Sequence, residues 1–351
     1  MAVFLEHMLI TNNAAIKSSQ PFIFFESHFH LASLGVGFFI VLSGFLITGI
    51  ILEEYKFRSS FNLSFFWFRR CLRIWPLYFL IIITGFLLVA IAQQSNATVH
   101  NMPSFIWLIT FTLNFYIINH GEAFLFFIVF LWSISVEEQL YVVWGLFLKY
   151  IKPLFVPFCL LLIVASIVFR VHFSGQSLHL YFSTINWLPH FALGSLIAYL
   201  GINGGKLFEK LKNIPHLLII AVYFLFILNL LFYNYIYASY VMTILQRFID
   251  ALFFAFFIFE QNFCTNRFIN PGKSKKLSYL GKISYGLFCY HGLVILLFTQ
   301  AVQQIGWLNN SLFVFFINPV LTFVITIVVA AMSYKYFEKP IMSLRDKFKT
   351  A

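Results

Sequence analysis

The chain has 351 residues, 61% of them hydrophobic and only 10% charged. Soluble domains carry about 25% charged residues, so a soluble protein with one anchor is excluded and a polytopic membrane protein is indicated. The formal net charge of +11 does not signal nucleic acid, because the cations sit in short loops between apolar runs, where they act as an orientation signal.

A spanning helix needs about 20 mostly apolar residues. In chain order, residues 2–10 read as the second half of a first helix, truncated at its start. Further spans are expected over 31–52, 76–92, 133–150, 153–170, 184–200, 215–232, 240–259, 283–302 and 312–332. Residues 104–118 and 123–132 are each too short to cross. They are expected as a re-entrant pair or two short helices, buried in protein or lining a wet cavity. The expected fold is all-α: a bundle of about ten transmembrane helices plus a hairpin. It forms one integral membrane domain over residues 1–351, with no appended soluble domain and no internal repeat.

Lys and Arg cluster at 56–73, at Lys149 and Lys152, at 206–212, at 267–282, and in a tail that includes Arg345, Lys347 and Lys349. The loops at 233–239 and 303–311 have neither. The basic loops therefore belong in the cytoplasm, with both termini inside. The first residues lack the basic region and small-residue cleavage site of a secretory signal. Cys71, Cys159, Cys264 and Cys289 stand singly, and no disulfide framework is implied.

Two polar segments stand out. Trp132-Ser133 leads into Glu137-Glu138, with apolar runs on both sides. A charge in hydrocarbon costs about 3 kcal/mol on insertion scales. A helix-start carboxylate, with Ser133 as N-cap, accounts for one Glu and not for two. Upstream, Arg70 and Arg73 share a helical face beside Arg69, just before Ile74-Trp75-Pro76. Anchoring is the bland explanation; bidentate phosphate binding by guanidinium groups is the functional one. His7 lies in an apolar run after Glu6. A lone histidine there is often only packed, yet His suits general-base work near neutral pH. His291 falls mid-span with Tyr285 and Cys289 nearby, which implies a polar face toward the bundle interior. His28, His30 and His190 sit near the outer surface without helical zinc spacing, so no metal site is expected.

Together these segments resemble the acyltransferase 3 family of integral membrane acyltransferases. The matching pieces are Val3 to His7, Gly35 to Ile47 and Arg69 to Pro76, then Trp132 to Tyr141, Ile283 to His291 and Tyr336 to Pro340. They follow the family's order across nearly the whole chain. The resemblance implies transfer of an acyl group, usually acetyl, from cytoplasmic acyl-CoA to a hydroxyl of an envelope or exported carbohydrate. His7 matches the family's first-helix histidine, and Arg70 and Arg73 its Arg-x-x-Arg pair. The family usually carries a cation upstream of that histidine, at a position that would precede residue 1 here.

On this reading His7 is catalytic, with Glu137 and Glu138 orienting the acceptor or the histidine. Arg69, Arg70 and Arg73 hold the cosubstrate, and Trp132, Ser133, Tyr285 and His291 form a polar core or substrate contact. No permanently bound cofactor is expected. The partners are the lipid bilayer, acyl-CoA and a carbohydrate, not nucleic acid. The alternative is a transporter or flippase of a glycan or lipid precursor, which would show repeat symmetry between halves.

Overall fold

The computed structural model describes residues 2–11, 13–28, 31–94, 102–122, 124–268 and 271–344. His30 and the tail cations Arg345, Lys347 and Lys349 lie outside them. Among the described residues the secondary structure is helical throughout, with no strand.

The short helix α1, Ala2–His7, is followed by α2, Leu31–Arg58, and α3, Leu63–Gln94. The Glu6 carboxylate accepts a 2.5 Å hydrogen bond from the Ala32 amide and so caps the start of α2. Ser59, at φ 55°, turns the chain out of that helix while its amide bonds the Tyr55 carbonyl. Helix α3 begins well before residue 76, because Pro76 lies inside it rather than at its start. Proline forfeits one backbone bond, which membrane helices tolerate when neighbours re-satisfy the freed groups. Arg69, Arg70 and Arg73 are therefore helical residues of α3.

Three short helices follow: α4, Phe105–Ile109, α5, Leu113–His120, and α6, Phe126–Val129. The first two make a short hairpin within and just past the expected segment 104–118, whereas the expected partner, 123–132, is not its second arm. The third leads directly into α7, Trp132–Tyr150, and together they make one span over Phe126–Tyr150, the most buried of all. The helix thus begins at Trp132, and Ser133 is not its N-cap. Its hydroxyl instead donates back to the Phe130 carbonyl at 3.3 Å.

Apart from shorter helical pieces, there follow α8, Phe155–His172; α9, Leu188–Asn203; α10, Lys206–Lys212; and α11, His216–Leu231. They continue with α12, Tyr240–Phe263; α13, Lys275–Lys282; α14, Ser284–Gln304; and α15, Asn318–Ser333. Ser239 caps α12 through the Met242 amide at 3.3 Å. Leu160, Leu161, Val164, Val168 and Val171 of α8 are exposed at helical spacing, as a lipid-facing stripe requires. Single π-helical turns, Phe313–Ile317 and Tyr334–Glu338, flank α15.

Among the described residues, eight helices are long and apolar enough to cross a membrane, or nine if the bent pair α10 and α11 counts as one span. This corrects the expected ten: α1 has six residues and α11 has 16, both short of a crossing.

The chain packs as two compact units. One comprises Met1–Ala32, Ser64–Glu138 and Lys275–Ala351; the other comprises Ser33–Leu63 and Gln139–Ser274. Within the second, α2 and α9 approach through glycine. A Cβ at Gly194 would stand 2.0 Å from the Val41 carbonyl oxygen, and one at Gly44 would stand 2.2 Å from that of Phe191. Such close backbone approach is how small residues drive helix association in lipid.

Candidate functional site

Every residue singled out from the sequence as a site candidate falls in the first unit. The hairpin frames it. The Tyr78 hydroxyl donates to the Leu108 carbonyl at 2.9 Å, which gives an α4 backbone group a partner inside the protein. At the bend, Phe111 adopts a φ of 53°, unusual for a bulky residue. Its ring stacks on Tyr78 at 4.7 Å and packs against Trp75 at 5.6 Å, so aromatic contacts hold the strained turn.

His7 ends α1 and is half-buried. Its ring lies 4.4 Å from Phe130 and 6.1 Å from His291, and Phe126 meets it edge-on at 5.6 Å. Phe130 stacks on His291 at 4.7 Å. One phenyl ring therefore contacts both imidazoles. His291 is only 2% exposed. Its Nδ1 lies 2.5 Å from the Phe288 carbonyl oxygen, which can only accept, so Nδ1 carries the proton. Nε2 is left with its lone pair and has no hydrogen-bond partner among the described residues. Room for Phe130 comes from Gly292, where a Cβ would stand 2.6 Å from the Phe130 ring.

Glu138 is held from α3. The indole of Trp75 donates to Glu138 Oε2 at 3.4 Å, while Oε1 is buried with no hydrogen-bond partner among the described residues. Glu137 and Arg70 are its charged neighbours. No hydrogen bond or ion pair joins Glu138 to His7. Arg69 sits over the Phe65 ring at 4.5 Å and Arg70 over Phe66 at 5.9 Å. Arg73 is exposed. The Tyr285 hydroxyl donates to the Ile74 carbonyl at 2.8 Å and so ties α14 to the arginine-bearing segment of α3. Trp132 is buried at the first turn of α7.

Two groupings escaped the sequence reading. In the first unit, the Tyr290 hydroxyl bonds Ser333 at 3.1 Å, and the Ser333 hydroxyl donates to Glu338 at 3.0 Å. Arg73 is a charged neighbour of Glu338. A π-helical turn at Glu338 is the kind of irregularity that collects at functional sites.

In the second unit, Arg170 donates to the Ile244 carbonyl at 2.8 Å and to Asn186 at 2.6 Å, and it also bonds the Thr243 carbonyl. Arg247 bonds Ser33 and lies 4.2 Å above the Trp187 ring. Beside them, both Asp250 oxygens and both His190 ring nitrogens are buried with no hydrogen-bond partner among the described residues. Arg247 and Asp250 stand three apart inside an apolar span, and an ionisable residue in such a run is itself a signal. No group of three or more His, Cys, Asp or Glu among the described residues is placed to hold a metal.

Residues 1–334 match the family model described as an acyltransferase domain, acyltransferase 3. The chain is 28% identical over 336 residues to "Putative peptidoglycan O-acetyltransferase YrhL" of Bacillus subtilis (strain 168), a match covering 88% of this chain and 50% of that protein. It is 27% identical over 334 residues to "O-acetyltransferase OatA" of Staphylococcus aureus (strain NCTC 8325 / PS 47), covering 88% of this chain and 52% of that one. It thus spans about half the length of the relatives it matches. No solved structure matches it. With the match running through nearly all its helices, the chain belongs to the acyltransferase 3 family.

Proposed function

We propose that the chain transfers an acyl group from acyl-CoA to a hydroxyl of an envelope carbohydrate. The relatives' names point to acetyl as the group, and one of them to peptidoglycan as the acceptor. The observation that carries the reading is the pair of imidazoles on Phe130, one half-buried and one locked in a single tautomer.

In the proposed reaction His7 takes the proton of the acceptor hydroxyl. The oxygen attacks the thioester carbonyl, the carbon–sulfur bond breaks, and the proton passes from His7 to the departing thiolate. His7 suits this role because it is reachable, whereas His291 is sealed in. His291 offers a hydrogen-bond acceptor of fixed direction to the same core. Arg70 and Arg73 hold the donor's phosphates, because a guanidinium fork matches phosphate oxygens. Arg69, beside them, adds charge.

Glu138, held by Trp75, orients a hydroxyl or balances Arg70. Basic loops facing the cytoplasm would put the donor on the side where acyl-CoA is made. The test is transfer of labelled acetyl from acetyl-CoA to a glycan acceptor by protein in liposomes. His7→Ala should lower the rate by about 10²–10⁴-fold without loss of insertion. A near-parental rate would remove His7 from the chemistry.

A further inference from the structure

The second unit carries an open basic cavity at its surface that the proposed reaction does not use. It is about 540 Å³ and is lined by Lys212, Phe263, Cys264, Thr265, Arg267 and Lys273. Three of the six are cations and none is a carboxylate. Three stretches line it: the end of α10 at Lys212, the end of α12 with the turn after it, and Lys273; the first two are stapled together. The Thr265 amide donates to the Lys212 carbonyl at 3.1 Å, and the Asn266 side chain donates to that of Ile214 at 3.5 Å. The Thr265 hydroxyl adds a bond to the Lys212 carbonyl at 3.3 Å.

Arg267 is equally fixed. Its Nε donates to the Cys264 carbonyl and its Nη2 to the Asn262 carbonyl, each at 3.2 Å. Two carboxylates stand nearby: Glu209, 3.9 Å from Lys212 with both groups solvent-exposed, an arrangement worth little, and the buried Glu260, whose Oε1 accepts the Phe268 amide at 2.6 Å. Orientation by positive charge explains cations in this loop. It does not explain why three of them converge on one cavity whose walls are held by backbone bonds, with a guanidinium immobilised on carbonyls.

We propose that this cavity binds a phosphate-bearing ligand. A guanidinium held on carbonyls and two ammonium groups lining the same cleft offer charge-assisted donors to phosphate oxygens. Two sources share that chemistry: the nucleotide portion of coenzyme A and the headgroup of an anionic phospholipid. The site itself does not depend on the acyl-transfer reading, and only the coenzyme source rests on it.

The test uses the full chain in nanodiscs. One arm titrates coenzyme A against protein in phosphatidylcholine alone. The other counts phosphatidylglycerol retained from mixed bilayers by native mass spectrometry. The double variant Lys212→Gln/Lys273→Gln changes two lysines that make no backbone contact through their side chains. It should weaken one of the two interactions by about tenfold, and the arm affected names the source. Arg267→Lys, which keeps charge but not the fork, should weaken the same arm. Arg70→Gln/Arg73→Gln weakens the coenzyme arm by itself and is read only in the phosphatidylglycerol arm, where it should change nothing, which separates this cavity from the proposed donor site. If the double variant stays monodisperse and both arms stay within twofold of the parent, or if the parent binds neither probe, the proposal is wrong.

Discussion

Gly292→Ala tests whether the contact of His7 and His291 through Phe130 matters, because it removes no chemical group. The added Cβ would stand 2.6 and 2.8 Å from two Phe130 ring carbons and 2.9 Å from the Phe127 Cβ. Ordinary carbon contacts begin near 3.5 Å, so the neighbours must yield by somewhat under 1 Å. The Phe130 ring cannot swing aside freely, since it packs on both imidazoles. Phe127 is 1% exposed, and the clashing atom is the root of its side chain, so α6 itself must shift.

Overpacking of this kind costs about 1–3 kcal/mol. A misplacement approaching 1 Å at reacting groups lowers rates by up to about 10²-fold. Thermal unfolding in detergent and acetyl transfer in liposomes should therefore both fall. Gly281→Ala is the control: nothing lies within 4 Å of its Cβ, and the change should raise stability by up to about 1 kcal/mol. If Gly292→Ala transfers acetyl at the parental rate with a lowered melting point, the stack is only packing. If neither changes, the described geometry at Phe130 is wrong.

His291→Phe keeps an aromatic ring against Phe130 and deletes Nε2; transfer should drop by at least about tenfold while the melting point holds, and full activity would show that the ring alone matters. Arg70→Gln and Arg73→Gln should each weaken acetyl-CoA binding by about 1.5–3 kcal/mol, read by calorimetry, and unchanged affinity in the double variant would exclude them as donor ligands. Cysteine at Lys275 should resist an impermeant label in intact cells, and cysteine at the exposed Tyr235 should react; the reverse pattern would invert the orientation.

Hydropathy alone determined that the chain spans a membrane as a helical bundle, because each crossing must satisfy its own backbone and carry about 20 apolar residues. It also exposed the candidate residues, since an ionisable group inside an apolar run is conspicuous whatever surrounds it. Its errors were local. Pro76 reads as a helix start, yet α3 runs straight through it from Leu63. Ser133 reads as a cap, yet α6 delivers the chain into α7 one residue earlier.

What one-dimensional pattern does not carry is which conspicuous residues meet. His7 and His291 lie far apart in the chain, and they share Phe130, one of 49 phenylalanines, which carries no polar group to mark it. Glu138 instead takes Trp75 from α3. Those pairings follow from packing, where a missing Cβ at Gly292 decides which ring fits, and close packing is a property of the folded bundle rather than of any segment.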